Sequence, residues 1–481
     1  MKKIFLVYPK EKGTIAPEIY GHFTEHIGGV IYDGIWVGKD SRIPNINGFR
    51  KEIIEKLRQI KAPVIRWPGG CYAEVYDWRD GIGENRPTRI SWWTQYDGRY
   101  ESNAVGTHEF MDFCDAVGAK AYFASNLTSV TPLHARNWMD YCLSPKGSTT
   151  LAKEREANGH PEPFDIPFWG VGNENSGGGG NMTPQYYADE FRRFSTLMNN
   201  AFPDAQLFAC GEIGEDFDWT HYFMQGVKNS CGFLNGYAIH YYNYGIGDPI
   251  EFTENEWDEQ MKKAALMDDI IRRNWNIICG HGMQNKAKLV VDEWGCWHKE
   301  GSGPSKGANL FEQQSTIRDA MVTALTLNIF NNHCDKVRMA NAAQLVNNLH
   351  CLFLSAGENC ITTPTYHVFD MFKEHQGAKA IETVVESIDT TDVKITVSAS
   401  VKDGKTLITI GNLSCREDIE LSLQGVGLEI PDNAKATLLY SDDMHAHNTF
   451  DSPETVKPVN IDIDISKPFT LPKTGIIAIT F

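Results

Sequence analysis

Eight short strand-like runs alternate with amphipathic stretches over the first three-quarters of the chain, and the remainder switches to residue-by-residue alternation. No G-x-G-x-x-G turn follows any early strand, which disfavours an open doubly wound sheet. Together these observations predict an α/β chain: a (β/α)8 TIM barrel over residues 17–376, followed by an all-β sandwich over 377–481. Residues 1–16 carry one more strand-like run, Lys3–Tyr8, expected to pair into the sandwich. A length of 481 residues is too great for one ordinary core and fits a large domain with a smaller one.

In order, the barrel strands are expected at Glu18–Thr24, Pro63–Trp67, Lys120–Ser125, Pro167–Gly172, Gln206–Cys210, Leu234–Ile239, Lys288–Asp292 and Val337–Gln344. Phe49, Ile53, Ile54, Leu57 and Ile60 recur at helical spacing before the second strand. Phe110, Met111, Cys114 and Val117 do so before the third. In the last hundred residues, Val393–Ser398 and Val459–Ile465 alternate apolar with polar, and Asp403-Gly404 and Lys473-Thr474-Gly475 mark turns between runs.

Composition excludes several functions. A net charge of −17 without a Lys/Arg-rich stretch argues against nucleic acid or an anionic membrane as partner. The 11 cysteines include no CxxC pair, so neither a disulfide framework nor a zinc ribbon is indicated, and reduced thiols fit better. Ile4–Val7 is too short for a signal peptide's apolar stretch, which gives a cytoplasmic reading. A precursor already trimmed of its leader would carry the same N-terminus.

Barrel chemistry gathers at the C-terminal ends of strands. Those ends read Glu25, Gly69-Gly70-Cys71, Asn126, Asn173-Glu174, Gly211-Glu212, His240-Tyr241-Tyr242, Glu293 and Gln344. Any one of them could be a helix cap or a turn; so many polar ends together point to a site. Glu174 and Glu293 each sit just past an apolar run, and two facing carboxylates are what glycosidic cleavage requires. One protonates the leaving oxygen while the other attacks or stabilises the sugar carbon. Arg66 is placed to anchor a carboxylate through a bidentate pair, with a surface salt bridge as the alternative. Gly69-Gly70 fits close backbone approach or a plain turn equally well, and Gly177–Gly180 reads as a flexible loop. His22, Glu25 and His26 match the H-x-x-E-H zinc pattern, but that pattern needs a helix, and a strand before it and Gly28-Gly29 after it oppose one.

The segments Tyr20–His26, Arg66–Gly70, Asp77–Gly83, Gly172-Asn173-Glu174, Asp292-Glu293-Trp294 and Gln344–Asn347 resemble glycoside hydrolase family 51, the α-L-arabinofuranosidases. The resemblance runs in order through the barrel and into the sandwich. It implies a retaining, exo-acting hydrolase of arabinan or arabinoxylan fragments, with Glu174 as acid/base and Glu293 as nucleophile. It also implies Glu25, Asn173, Tyr242 and Gln344 as partners of the furanose, Trp297 as an aromatic wall, no cofactor and no metal, and a homohexamer. Cys71 stands where many members carry Asn, and it is expected to alter recognition of a sugar hydroxyl. Asn175 is followed by Ser176 and four glycines where relatives often have Trp. A β-glucanase or β-xylosidase on the same barrel is the runner-up. A carbohydrate-binding role for the sandwich is weakened by its lack of tryptophan.

Overall fold

The computed structural model describes residues 2–211, 213–229, 233–244, 246–386 and 394–481. Eight parallel strands close into a barrel in chain order: Gly21–Phe23, Val64–Trp67, Lys120–Ser125, Phe168–Val171, Gln206–Ala209, Leu234–Tyr244, Leu289–Trp297 and Val337–Ala343. The first is shorter than its sequence suggests, because Pro17 opens a 3-10 turn over Pro17–Tyr20. The sixth and seventh are longer, so His240, Tyr242 and Glu293 lie inside strands rather than beyond them.

A plug of Val64, Tyr122, Phe168, Phe208, Val290 and Met339 fills the barrel interior. Residues two further along a strand share its face, which puts Arg66 and Asp292 directly above the plug. In a regular strand Glu293 would then point outward. The seventh strand slips register against the eighth between Val291 and Trp294, and against the sixth between Ile239 and His240. Such irregularities re-aim side chains, and here consecutive residues Asp292 and Glu293 both reach Arg66.

Three two-stranded hairpins apart, the remaining strands form one nine-stranded sheet. Lys2–Thr14 lies within it, antiparallel to Lys379–Glu386 and parallel to Ile419–Val426. Its apolar face, with Ile4, Leu6, Ile381, Ile408, Ile410 and Leu421, encloses a second core. On Ile395–Lys402 and Lys405–Asn412 the alternate positions Thr396, Ser398, Ser400 and Thr409 are polar but also buried, because they pack on helix Ile317–Asn332, which is buried along nearly its whole length. At this seam Asn328 Oδ1 accepts from Ser398 Oγ and Thr409 Oγ1, both at 2.7 Å. Asn331 Nδ2 donates to Tyr20 and Ser398, and His375 bonds Ser400 at 2.7 Å and Thr409 at 3.0 Å.

Candidate active site

Glu174 and Glu293 converge at the open end of the barrel from the fourth and seventh strands. Their nearest carboxylate oxygens and His240 Nδ1 all lie within 4.8 Å of one another. Glu293 is buried: Oε1 takes Arg66 Nη1 at 2.7 Å and Oε2 takes the Tyr242 hydroxyl at 2.7 Å. Arg66 does not close the expected bidentate pair on one carboxylate. Its fork is divided, with Nη2 donating to Asn173 Oδ1 at 2.6 Å, because Asn173 reaches the same guanidinium from the loop after the fourth strand. Glu174 is less buried, and His240 Nδ1 lies 3.0 Å from its Oε1.

The charges follow from these contacts. Burial alone would raise the Glu293 pKa, but His240, Arg66 and the Tyr242 hydroxyl outweigh it and hold the carboxyl below its usual range. Burial would likewise discharge His240, but Glu293, Asp292 and Glu174 around it raise its pKa to about 10. For Glu25 burial dominates, Glu293 adds repulsion, and its pKa rises to about 7.

Glu25 accepts from Tyr72 N at 3.1 Å, Trp93 Nε1 at 3.2 Å and Gln344 Nε2 at 3.2 Å. Gly69 and Gly70 resolve to close approach, since a Cβ would lie 2.7 Å from Glu25 Cγ on the first and 2.9 Å from Glu293 Oε1 on the second. Trp297 packs edge-on to Tyr242 at 5.2 Å and meets Phe311 at 4.8 Å, forming one wall. Cys71 stands on the Glu174 side, with Sγ 3.8 Å from Oε2. Thus Glu25, Arg66, Cys71, Asn173, Glu174, Tyr242, Glu293, Trp297 and Gln344 form one neighbourhood.

Other strand-end residues go elsewhere. Asn126 closes a turn on Tyr76 and Ser129, and Tyr241 bonds the Lys263 carbonyl. Glu212 lies outside the described residues. Gly177–Gly180 is a hydrogen-bonded turn rather than a free loop, its Gly177 and Gly179 amides donating to the Glu174 carbonyl. His22 packs at a tilt against Phe369 outside the barrel, His26 bonds Glu101, and Glu25 faces the mouth. With Gly21–Phe23 a strand, the zinc motif has no shared helix face.

Sequence reasoning missed His240 as a site residue, along with Glu74 and Trp93. His240 was visible as a strand-end histidine beside Tyr242; Glu74 gave no signal beyond its carboxylate. Among the described residues, two sets gather ligand atoms within 4.8 Å: Glu174, His240 and Glu293, and separately Cys296, His298 and Asp319. Each already has an internal cation, Arg66 on Glu293 in the first and Arg318 against His298 in the second.

A carboxylate pair at the mouth of a parallel barrel defines a glycoside hydrolase. Two family descriptions match, the α-L-arabinofuranosidase 1 domain over residues 56–255 and the α-L-arabinofuranosidase C-terminal domain over 292–474. An intracellular exo-α-L-arabinofuranosidase of Bacteroides ovatus is 36% identical over 464 residues, covering 93% of this chain and 88% of that one. The crystal structure of the family 51 arabinofuranosidase of Xanthomonas axonopodis pv. citri matches with a TM-score of 0.93 at 35% identity over 100% of both chains. An arabinose complex of the Thermotoga maritima α-L-arabinofuranosidase matches at 0.89 and 27%, again over 100% of both. The chain belongs to glycoside hydrolase family 51, the α-L-arabinofuranosidases.

Proposed function

We propose that the protein is a retaining, exo-acting α-L-arabinofuranosidase that removes terminal non-reducing α-L-arabinofuranosyl residues from arabinan and arabinoxylan fragments. The approach of Glu174 and Glu293 oxygens to within 4.8 Å carries this reading. A nucleophile that touches the anomeric carbon needs carboxyls about 5–5.5 Å apart, whereas an inverting pair leaves roughly 6.5–9.5 Å for water. Glu293, held anionic and aimed by Arg66 and Tyr242, attacks the anomeric carbon while Glu174 gives its proton to the leaving oxygen. Glu174 then takes a proton from water, which releases the sugar from Glu293.

Glu25, Cys71, Asn173, Tyr242, Trp297 and Gln344 bind the furanose in this reading. Asn173 Nδ2 and Gln344 Oε1 are buried without a protein partner, and sugar hydroxyls supply the acceptor and donor they lack. The Bacteroides relative is named intracellular, and the described cysteines are unpaired, which supports a cytoplasmic setting. Among the described residues no helix is long and apolar enough to cross a membrane. A homohexamer and the division into 1–16, 17–376 and 377–481 belong to the same proposal; an apolar cluster confined to the sheet supports the division, while the larger cluster continues from the barrel onto the sheet through Leu407, Leu439 and Ile476.

The test is Glu293→Gly on an aryl α-L-arabinofuranoside. Turnover is abolished, and azide, filling the space of the carboxylate, restores product as the glycosyl azide of inverted configuration, read by NMR. Near wild-type activity without azide overturns the assignment.

A further inference from the structure

Glu174 holds an unusual backbone for a residue with a side chain. Its φ is +42°, in the left-handed region that glycine favours, and Gly172 two positions earlier is at +90°. Conformations of this kind persist only where surrounding contacts impose them. The Gly177 and Gly179 amides fix the Glu174 carbonyl at 2.9 and 3.0 Å. The flanking residues are fixed by one buried carboxylate, Glu74, in the turn Cys71–Val75.

Glu74 Oε1 accepts from Asn173 N at 2.6 Å, immediately before Glu174, and from Asn175 Nδ2 at 2.9 Å, immediately after it. Its Oε2 accepts from Leu127 N and Thr128 N, both at 2.8 Å, in the loop after the third strand. One side chain thus ties together the loops that follow three successive barrel strands, with Glu174 at the centre. No cation is among its hydrogen-bond donors. The same short turn sets Cys71 Sγ 3.8 Å from Glu174 Oε2, so it addresses both the backbone and the carboxylate of that residue.

We infer that Glu74 is a positioning residue for Glu174, imposing the left-handed turn that aims the acid/base carboxyl at the leaving oxygen. The inference rests on the reading of Glu174 as acid/base. A clamp on the acid acts on proton transfer, so its loss falls on substrates that need a proton and spares those that leave without one. Fold support alone weighs on both alike.

The experiment compares an alkyl and a dinitrophenyl α-L-arabinofuranoside for wild type, Glu74→Gln, Asn175→Ala and Glu174→Ala, with thermal melts of each. Glu74→Gln turns an acceptor into an NH2 that faces amide donors. Its kcat/KM is expected to fall about ten-fold or more on the alkyl substrate and less than about three-fold on the activated one, as partial loss of general-acid catalysis requires. The basic limb of its pH profile is also expected to move. Asn175→Ala removes one of the four donors and gives the same pattern at smaller size, which keeps the test open if Glu74→Gln does not fold. Equal losses on both substrates, or unchanged kinetics, overturn the inference. If Glu174→Ala itself shows no dependence on leaving group, the acid/base reading fails first; if it does and neither clamp variant does, only the positioning role fails.

Discussion

At the mouth of the barrel and at its seam with the sandwich, two sets of polar side chains are equally hidden from water but built differently. The seam is neutral: amides, hydroxyls and His375 exchange hydrogen bonds, and none of Tyr20, Asn328, Asn331, His375, Ser398, Ser400 and Thr409 keeps an unpartnered buried polar atom. The mouth crowds Arg66, His240, Asp292, Glu293 and Glu25 together and leaves Asn173 Nδ2 and Gln344 Oε1 unpartnered. Two histidines make the contrast sharp. Burial drives His375 down to about 3 and keeps it neutral, while carboxylates drive the equally buried His240 up to about 10. Buried polarity by itself therefore does not mark a site. An unpartnered donor and acceptor, opposed charges and a left-handed backbone together do.

The comparison is broken most readily at Glu174. Both Glu174→Gly and Glu174→Ala are expected to lose about a hundred-fold or more on substrates with poor leaving groups. They should differ in stability: at φ +42° the glycine variant is expected to exceed the alanine one by about 1 kcal/mol in denaturant unfolding, because only alanine keeps the strained Cβ. An alanine variant as stable as the glycine one would remove strain from the mouth's description.

At the seam the signs reverse. Asn328→Leu strips the acceptor from Ser398 and Thr409 and is expected to cost about 2–3 kcal/mol of stability through hydroxyls left without it. Its kcat/KM should stay within about two-fold of wild type, since a neutral seam has no charge to pass to the mouth. A large kinetic loss at unchanged stability would show the two regions to be coupled.

The comparison is sharpened further by pH dependence. His375 is neutral in the fold down to about 3, whereas an ordinary histidine charges near 6.5. Between those values the unfolded chain binds the extra proton, so His375 makes stability fall with falling pH, by about 1.4 kcal/mol per pH unit. His240 has the opposite sign: its contribution is complete below about 6.5 and is lost as pH rises through about 10. Chemical denaturation of His375→Gln across pH 4–7 should show a flatter dependence than wild type, and an unchanged slope would sink the account of the seam.

Much of this was legible in the sequence, unevenly. The eight strands could be placed because each is a short run of branched or aromatic residues bounded by turns, and Glu174 and Glu293 could be picked out because both follow such runs. The ends of the sixth and seventh strands could not. Polar residues from His240 to Tyr244 look like the end of a strand, yet the ladder continues because charges on the inner face satisfy one another. The partnership of Glu74 with Asn173 spans 99 residues and is set by barrel closure, which no local pattern encodes. The alternation of Thr396, Ser398 and Ser400 was readable as a polar face. That it is buried depends on helix Ile317–Asn332 lying against it.

The strand Lys2–Thr14 sits inside the sheet, between Lys379–Glu386 and Ile419–Val426, so a segment made before the barrel is completed by segments made after it. At a synthesis rate of about 5–20 residues per second, it waits roughly 20–75 seconds for its antiparallel neighbour. The intervening barrel has that interval in which to close before Ile4 and Leu6 meet their partners in the core of the sheet. The sheet is in this respect a clasp: its Lys2–Thr14 strand can be fastened only once the chain on the far side of the barrel has been made.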